Sequence, residues 1–297
     1  MRFNNEFNKM EQREKMLFPQ RKSGFLATGC VVLYGICFIV LNIVWTGIIS
    51  VALPPSVMKT FPALFYLAIE VGVLISALVP AYVLLVYVER RPFAELGLAW
   101  RRQGEWIYSG FLIALLLFMV GFGISLVSGE VVVTGIHFNP SDLLLGFLFF
   151  VLVAFAEEIM VRGYVLGCLL RAGMNRFLAL GISSLLFALL HVFNPAIAFL
   201  PMLNLVLAGV LLGSVYIYTR NLWFSISLHL FWNWIQGPVL GYQVSGNNFL
   251  SSLLTLRITE PNLINGGAFG FEGSIVCTVV VVIAIVGIIL WFEQRLG

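Results

Sequence analysis

Residues 25–53 (FLATGCVVLYGICFIVLNIVWTGIISVAL) run 29 positions without a charge, and a bilayer-spanning helix needs only ~20 mostly apolar residues. Stretches of this kind recur along the whole chain, and they constrain its fold more than any other feature. In lipid every backbone N–H and C=O must be satisfied internally, which leaves helices or a closed barrel. The period-two alternation of barrel strands does not compete with these runs, so the expectation is an all-α polytopic membrane protein. Composition agrees: 60% of the 297 residues are hydrophobic and 10% charged, with mean hydropathy +1.00, far from a soluble domain. About eight transmembrane helices are expected, near 25–53, 61–88, 107–128, 143–170, 177–194, 196–219, 222–236 and 273–292.

Arg and Lys gather in the polar N-terminus, in the 89–106 loop (Arg90, Arg91, Arg101, Arg102), in the 171–176 turn and at Arg220 and Arg295. The other loops hold Lys59 and Arg257. The positive-inside rule then makes both termini cytoplasmic, with 129–142 and 237–272 facing outward. This divides the chain into a cytoplasmic segment 1–24, one transmembrane domain 25–292 with its chemistry in 143–236, and a tail 293–297. The first apolar run is too long for a signal-peptide core, so it reads as a retained helix. RPFAELGLAWRRQGEW (91–106) mixes basic and apolar residues like a short interfacial helix, and nothing else suggests nucleic-acid binding. Gly209 and Gly213 form a small-xxx-small packing face. Cys30, Cys37, Cys168 and Cys277 are scattered without a CxxC pair, and read as small hydrophobes.

Against this background AEEIMVRGYV (156–165) stands out. Glu157, Glu158 and Arg162 follow a long uncharged run, and each charge at the bilayer centre costs ~2.5–3.5 kcal/mol even on the lenient scale. If the fourth and fifth spans turn back at RAGMNR (171–176), Glu157 and His191 each sit about 21 Å from the turn at the helical rise. His229 and Asn233 lie about 13–20 Å beyond Arg220 by the same rise. Two of the three histidines thus share one layer with the glutamates, while His137 falls in an outer loop. Phe187 and His191, His229 and Asn233, and Glu158 and Arg162 are i,i+4 pairs on common helix faces. A division follows in which Arg162 holds Glu158 ionised and Glu157 is free to face the histidines. Glu70, in the second span, has no visible partner.

E157-E158-I-M-V-R162, F187-A-L-L-H191 and H229-L-F-W-N233 resemble, in order, the EExxxR, FxxxH and HxxxN/D motifs of the CPBP family, the type II CAAX prenyl endopeptidases and their bacteriocin-processing relatives. The resemblance covers about 143–236. It implies an intramembrane endopeptidase with Glu157, Glu158, Arg162, His191, His229 and Asn233 as its site. A carboxylate in a desolvated cavity can serve as base for water. His191 can orient that water, and His229 with Asn233 can offer donors to an oxyanion. No Ser or Cys occupies a motif position. Two His and a Glu are also a zinc ligand set (His191, His229, Glu157), but HExxH is absent, so the expectation is hydrolysis without a cofactor, with zinc as the alternative. The expected partners are the lipid bilayer and a peptide or protein substrate at the membrane, prenylated or a bacteriocin-like precursor. The site would be reached from the cytoplasm. A non-proteolytic scaffold or immunity protein, and a proton-coupled transporter using Glu157, His191 and Glu70, are the rival readings.

Overall fold

The computed structural model describes residues 24–99, 103–247 and 251–296. The expected cytoplasmic segment lies outside these residues apart from Gly24, as do Arg101 and Arg102. The long helices are α1 (Gly24–Ala52), α3 (Pro62–Val83) after a short α2 (Pro55–Thr60), and α4 (Gln103–Val127). They continue with α5 (Pro140–Glu158), α8 (Phe199–Thr219) and α10 (Ile275–Leu296). Helix α3 runs on through a π-helical turn at Leu84–Val88. Helix α5 does so through Ile159–Leu166 into α6 (Gly167–Arg171). With these extensions six helices are long and apolar enough to cross a bilayer, and the chain is an integral membrane protein.

Two of the eight expected spans are shorter than hydropathy suggests. Helix α7 (Arg176–Leu189) has 14 residues and α9 (Leu222–Trp234) has 13, about 20 Å at the helical rise against a ~30 Å hydrocarbon core. The expectation of helix through 194 fails because Asn194 precedes Pro195, a position biased away from the α region, and Ala196 takes φ +56°. His191 therefore sits in a turn just past the end of α7. Helix α9 continues through a π-helical turn at Ile235–Val239, which accommodates Pro238.

Other expectations also need correction. The 91–106 stretch is not an interfacial helix where it is described. Pro92 holds an extended backbone, a single 3₁₀ turn covers Phe93–Leu96, and Gly97 at φ +95° ends it. This loop is pinned inward: Leu222 N donates to Gly97 O (3.0 Å) and Leu96 is fully buried. The helical fold stands as expected, with one small two-stranded sheet beside it among the described residues. Strands β1 (Val131–Ile136) and β2 (Leu254–Ile258) pair antiparallel and tie the two outer loops together. The β-branched run VVVT (131–134) was the available signal.

The helix ends sort as the loop charges pair them. At one end Glu89 is bonded to Arg171 (3.1 Å), and Arg176 to Glu293 (2.9 Å). The β1–β2 sheet occupies the other end. Helices α7 and α8 pack closely along their middle turns because Gly209 and Gly213 carry no side chain. A Cβ at Gly209 would stand 2.8 Å from Ser184 Cα, and one at Gly213 2.5 Å from a Leu180 methyl.

Candidate active site

The three motifs converge where α5 passes into its π-helical segment, a form that appears mostly as local interruptions at functional sites. Glu158 and Arg162 are both fully buried, 0% exposed, and Arg162 Nη1 donates to Glu158 Oε1 at 2.7 Å. The guanidinium is held from two further sides. Nη2 donates to Gly209 O (3.1 Å), and the charge lies over the Phe187 ring, 4.4 Å from its centroid. Gly209 thus serves twice, admitting α7 closely and leaving its carbonyl open to the arginine.

His229 differs from expectation. Its Nδ1 stands 2.9 Å from Glu158 Oε1, so it is bonded to the arginine-paired carboxylate and not turned towards Glu157. A carboxylate can only accept, so Nδ1 carries the proton and Nε2 is left for the cavity. The side chain of Glu158 points towards α9, about 100° round the helix from Glu157, and that rotation decides which histidine each glutamate meets.

Glu157 faces the other histidine. Its Oε2 lies 4.0 Å from His191 Nε2 and has no hydrogen-bond partner among the described residues although that atom is buried. His191 Nδ1 is 2.9 Å from Phe187 O, and a carbonyl accepts only, so Nδ1–H is the donor and Nε2 is turned to Glu157. Phe187 is the hub of the arrangement. Its carbonyl orients His191, and its ring lies 4.9 Å from the His191 ring and 6.0 Å from the His229 ring, centroid to centroid.

Glu157, Phe187, His191 and His229 line a cavity of about 270 Å³ together with Asn233 and Glu70. Asn233 is 6% exposed, and its amide has no hydrogen-bond partner among the described residues. The cavity also has a polar wall that the sequence did not reveal: Asn194, Ser245, Asn247 and Glu272. Glu272 accepts from Trp232 Nε1 (2.9 Å), Ser245 N (2.8 Å) and Ser245 Oγ (2.7 Å). No short motif marks this wall, because 237–272 reads as a polar loop, and only its folding back over α9 makes it part of the site.

The cavity extends unevenly along the bundle. Its α5 lining residues are Phe149, Phe150, Val153 and Glu157, and on α9 they are Leu228, His229, Trp232 and Asn233. All lie at the layer of Glu157 or towards the end of the bundle that carries 240–247. On the side of the 171–176 turn every residue from Glu158 to Arg171 is buried. Along α5 and α9 the cavity therefore extends away from that turn.

Among the described residues no group of three His, Cys, Asp or Glu side chains is arranged to hold a metal ion. Of the zinc set considered from sequence, Glu157 lies 4.0 Å from His191, and His191 and His229 both stand beside the Phe187 ring.

Residues 139–235 match the family described as type II CAAX prenyl endopeptidase, Rce1-like, a protease family. The match contains all three motifs, in line with the resemblance they carry, and covers about a third of the chain. No curated protein and no solved structure matches the chain.

Proposed function

We propose that this protein hydrolyses a peptide bond of a membrane-associated protein or peptide, with Glu157 activating the water and without a metal. The observation that carries the reading is the gap between Glu157 Oε2 and His191 Nε2. At 4.0 Å it is too long for a direct hydrogen bond, so neither group is committed to the other, and the Glu157 carboxylate, which lines the cavity, is free to take a water there. Glu157 takes the proton from that water, and the Nε2 lone pair of His191 holds its second hydrogen and orients it. The substrate carbonyl then lies between this water and the opposite wall. There the Asn233 amide and a protonated Nε2 of His229 are donors for the oxyanion. The proton collected by Glu157 goes on to the leaving amine, so the carboxylate serves as base and then as acid. Glu158 and Arg162 touch no substrate in this scheme. They fix the tautomer and tilt of His229.

The substrate enters through the end of the bundle that carries 240–247. With both termini cytoplasmic by the loop charges, this is the side away from the cytoplasm, the reverse of the route expected from sequence. The test is cleavage of a membrane-peptide library by purified protein, with products identified by mass spectrometry, wild type against Glu157→Gln. Cleavage by wild type and none by a folded Glu157→Gln is expected. Equal cleavage by both removes Glu157 from the mechanism, and none by wild type removes the peptidase reading.

A further inference from the structure

Glu70 is the one carboxylate of the cavity for which neither the fold nor the proposed chemistry supplies an occupation. Glu157 is the base. Glu158 is bound by Arg162 and His229, and Glu272 accepts three hydrogen bonds. Glu70, on α3, faces the same space and makes no hydrogen bond or ion pair among the described residues. Among the described residues no Lys or Arg lines the cavity. A charge placed at membrane depth belongs with a partner or a function. The space beside it is built for a polar occupant, since the Asn233 amide, 6% exposed, also points into it with no partner of its own.

We propose that Glu70 receives a cationic group of the substrate, the side chain of a lysine or arginine next to the scissile bond. This rests on the peptidase reading for its substrate, and it adds a specificity that the catalytic groups do not provide. A lysine reaching Glu70 from a backbone held at His229 and Asn233 lies across the cavity with its aliphatic stem on the apolar wall and its ammonium on the carboxylate. An acidic residue at the same position meets Glu70, Glu157 and Glu272 together and is rejected.

The experiment uses the purified full chain and fluorescent membrane peptides in which lysine, norleucine or glutamate is walked through the central residues. Cleavage is measured on these peptides. Binding is measured by anisotropy on versions whose amide next to the varied residue is a neutral, uncleavable ketomethylene. At one position lysine is expected to bind at least tenfold more tightly than norleucine, and glutamate more weakly than both. In Glu70→Gln the lysine-to-norleucine ratio should fall close to one, and in Glu70→Lys glutamate should become the favoured residue. Equal binding of lysine and norleucine by wild type, or a lysine preference that survives in Glu70→Gln, overturns the proposal. Selective binding without cleavage would sink the peptidase reading and leave Glu70 as a site for a cationic side chain of a bound peptide. Cleavage without selectivity would do the reverse.

Discussion

His191 and Phe187 are joined twice, ring beside ring at 4.9 Å and Nδ1–H to carbonyl at 2.9 Å. The second contact leaves Nε2 as the only atom with which His191 can meet the water at Glu157. His191→Ala is therefore expected to lower turnover by about 10²–10⁴, the usual range for losing a group that handles a proton. Because the imidazole is half-buried at a helix end, the thermal midpoint in detergent should move little. Turnover close to wild type would remove His191 from the reaction.

Arg162→Ala acts on stability first. It leaves Glu158 charged and buried opposite His229 alone, a class of change that costs about 3–5 kcal/mol, and it frees the Gly209 carbonyl. Lower accumulation, a lower melting temperature and lost activity should appear together. Arg162→Lys keeps the charge but not the fork that reaches both Glu158 and Gly209, so it should restore only part of the stability. A melting curve for Arg162→Ala that matches wild type would contradict this account.

The two nitrogens of His229 can be tested separately. An asparagine amide reaches roughly where Nδ1 stands, and a glutamine amide roughly where Nε2 does. His229→Asn should keep the bond to Glu158 and the fold, yet lose the donor on the cavity side. His229→Gln should retain more activity. Chelators are expected to leave turnover unchanged, and elemental analysis to find less than one zinc per chain. Zinc at one per chain, lost together with activity, would put a metal at the site after all.

Orientation is measurable with an impermeant thiol reagent. Asn247→Cys lies at the cavity wall and Gly173→Cys in the opposite turn. With cytoplasmic termini, right-side-out cells should label the first and inverted vesicles the second. The opposite pattern would reverse the orientation and return the entrance to the cytoplasm.

Glu130, in the outer loop before β1, accepts from Thr259 Oγ1 (2.6 Å) and Asn262 Nδ2 (2.7 Å). These donors hold its carboxyl below the ordinary value. A lowered carboxylate pKa means that its stabilisation is present above the unfolded value and is lost as pH falls through the folded one. Hydrogen exchange across 259–265 should therefore lose protection, at constant intrinsic rate, as pH drops below the ordinary carboxylate range. Glu130→Gln should remove that dependence. Protection unchanged on acidification would show that the loop is held by other contacts.

By itself the sequence determined the solvent, the order of the helices and the residues proposed to carry chemistry. Each of these follows from local properties: runs too long and apolar for water, i,i+4 spacing on one face, and charges too costly in lipid to be accidental. Glu157 falls level with His191 because helical rise is constant. Only the tertiary structure decided which glutamate meets which histidine, since that depends on helix rotation, and a 100° turn separates Glu157 from Glu158. The same holds for Phe187 as the hub, for Gly209 as an acceptor for Arg162, and for the early end of α7 at Leu189. The wall of Asn194, Ser245, Asn247 and Glu272, and with it the direction of the cavity, comes from a loop folding back over α9. Glu272 meets Trp232 of the third motif across 40 positions of chain, and no periodicity records a contact of that kind.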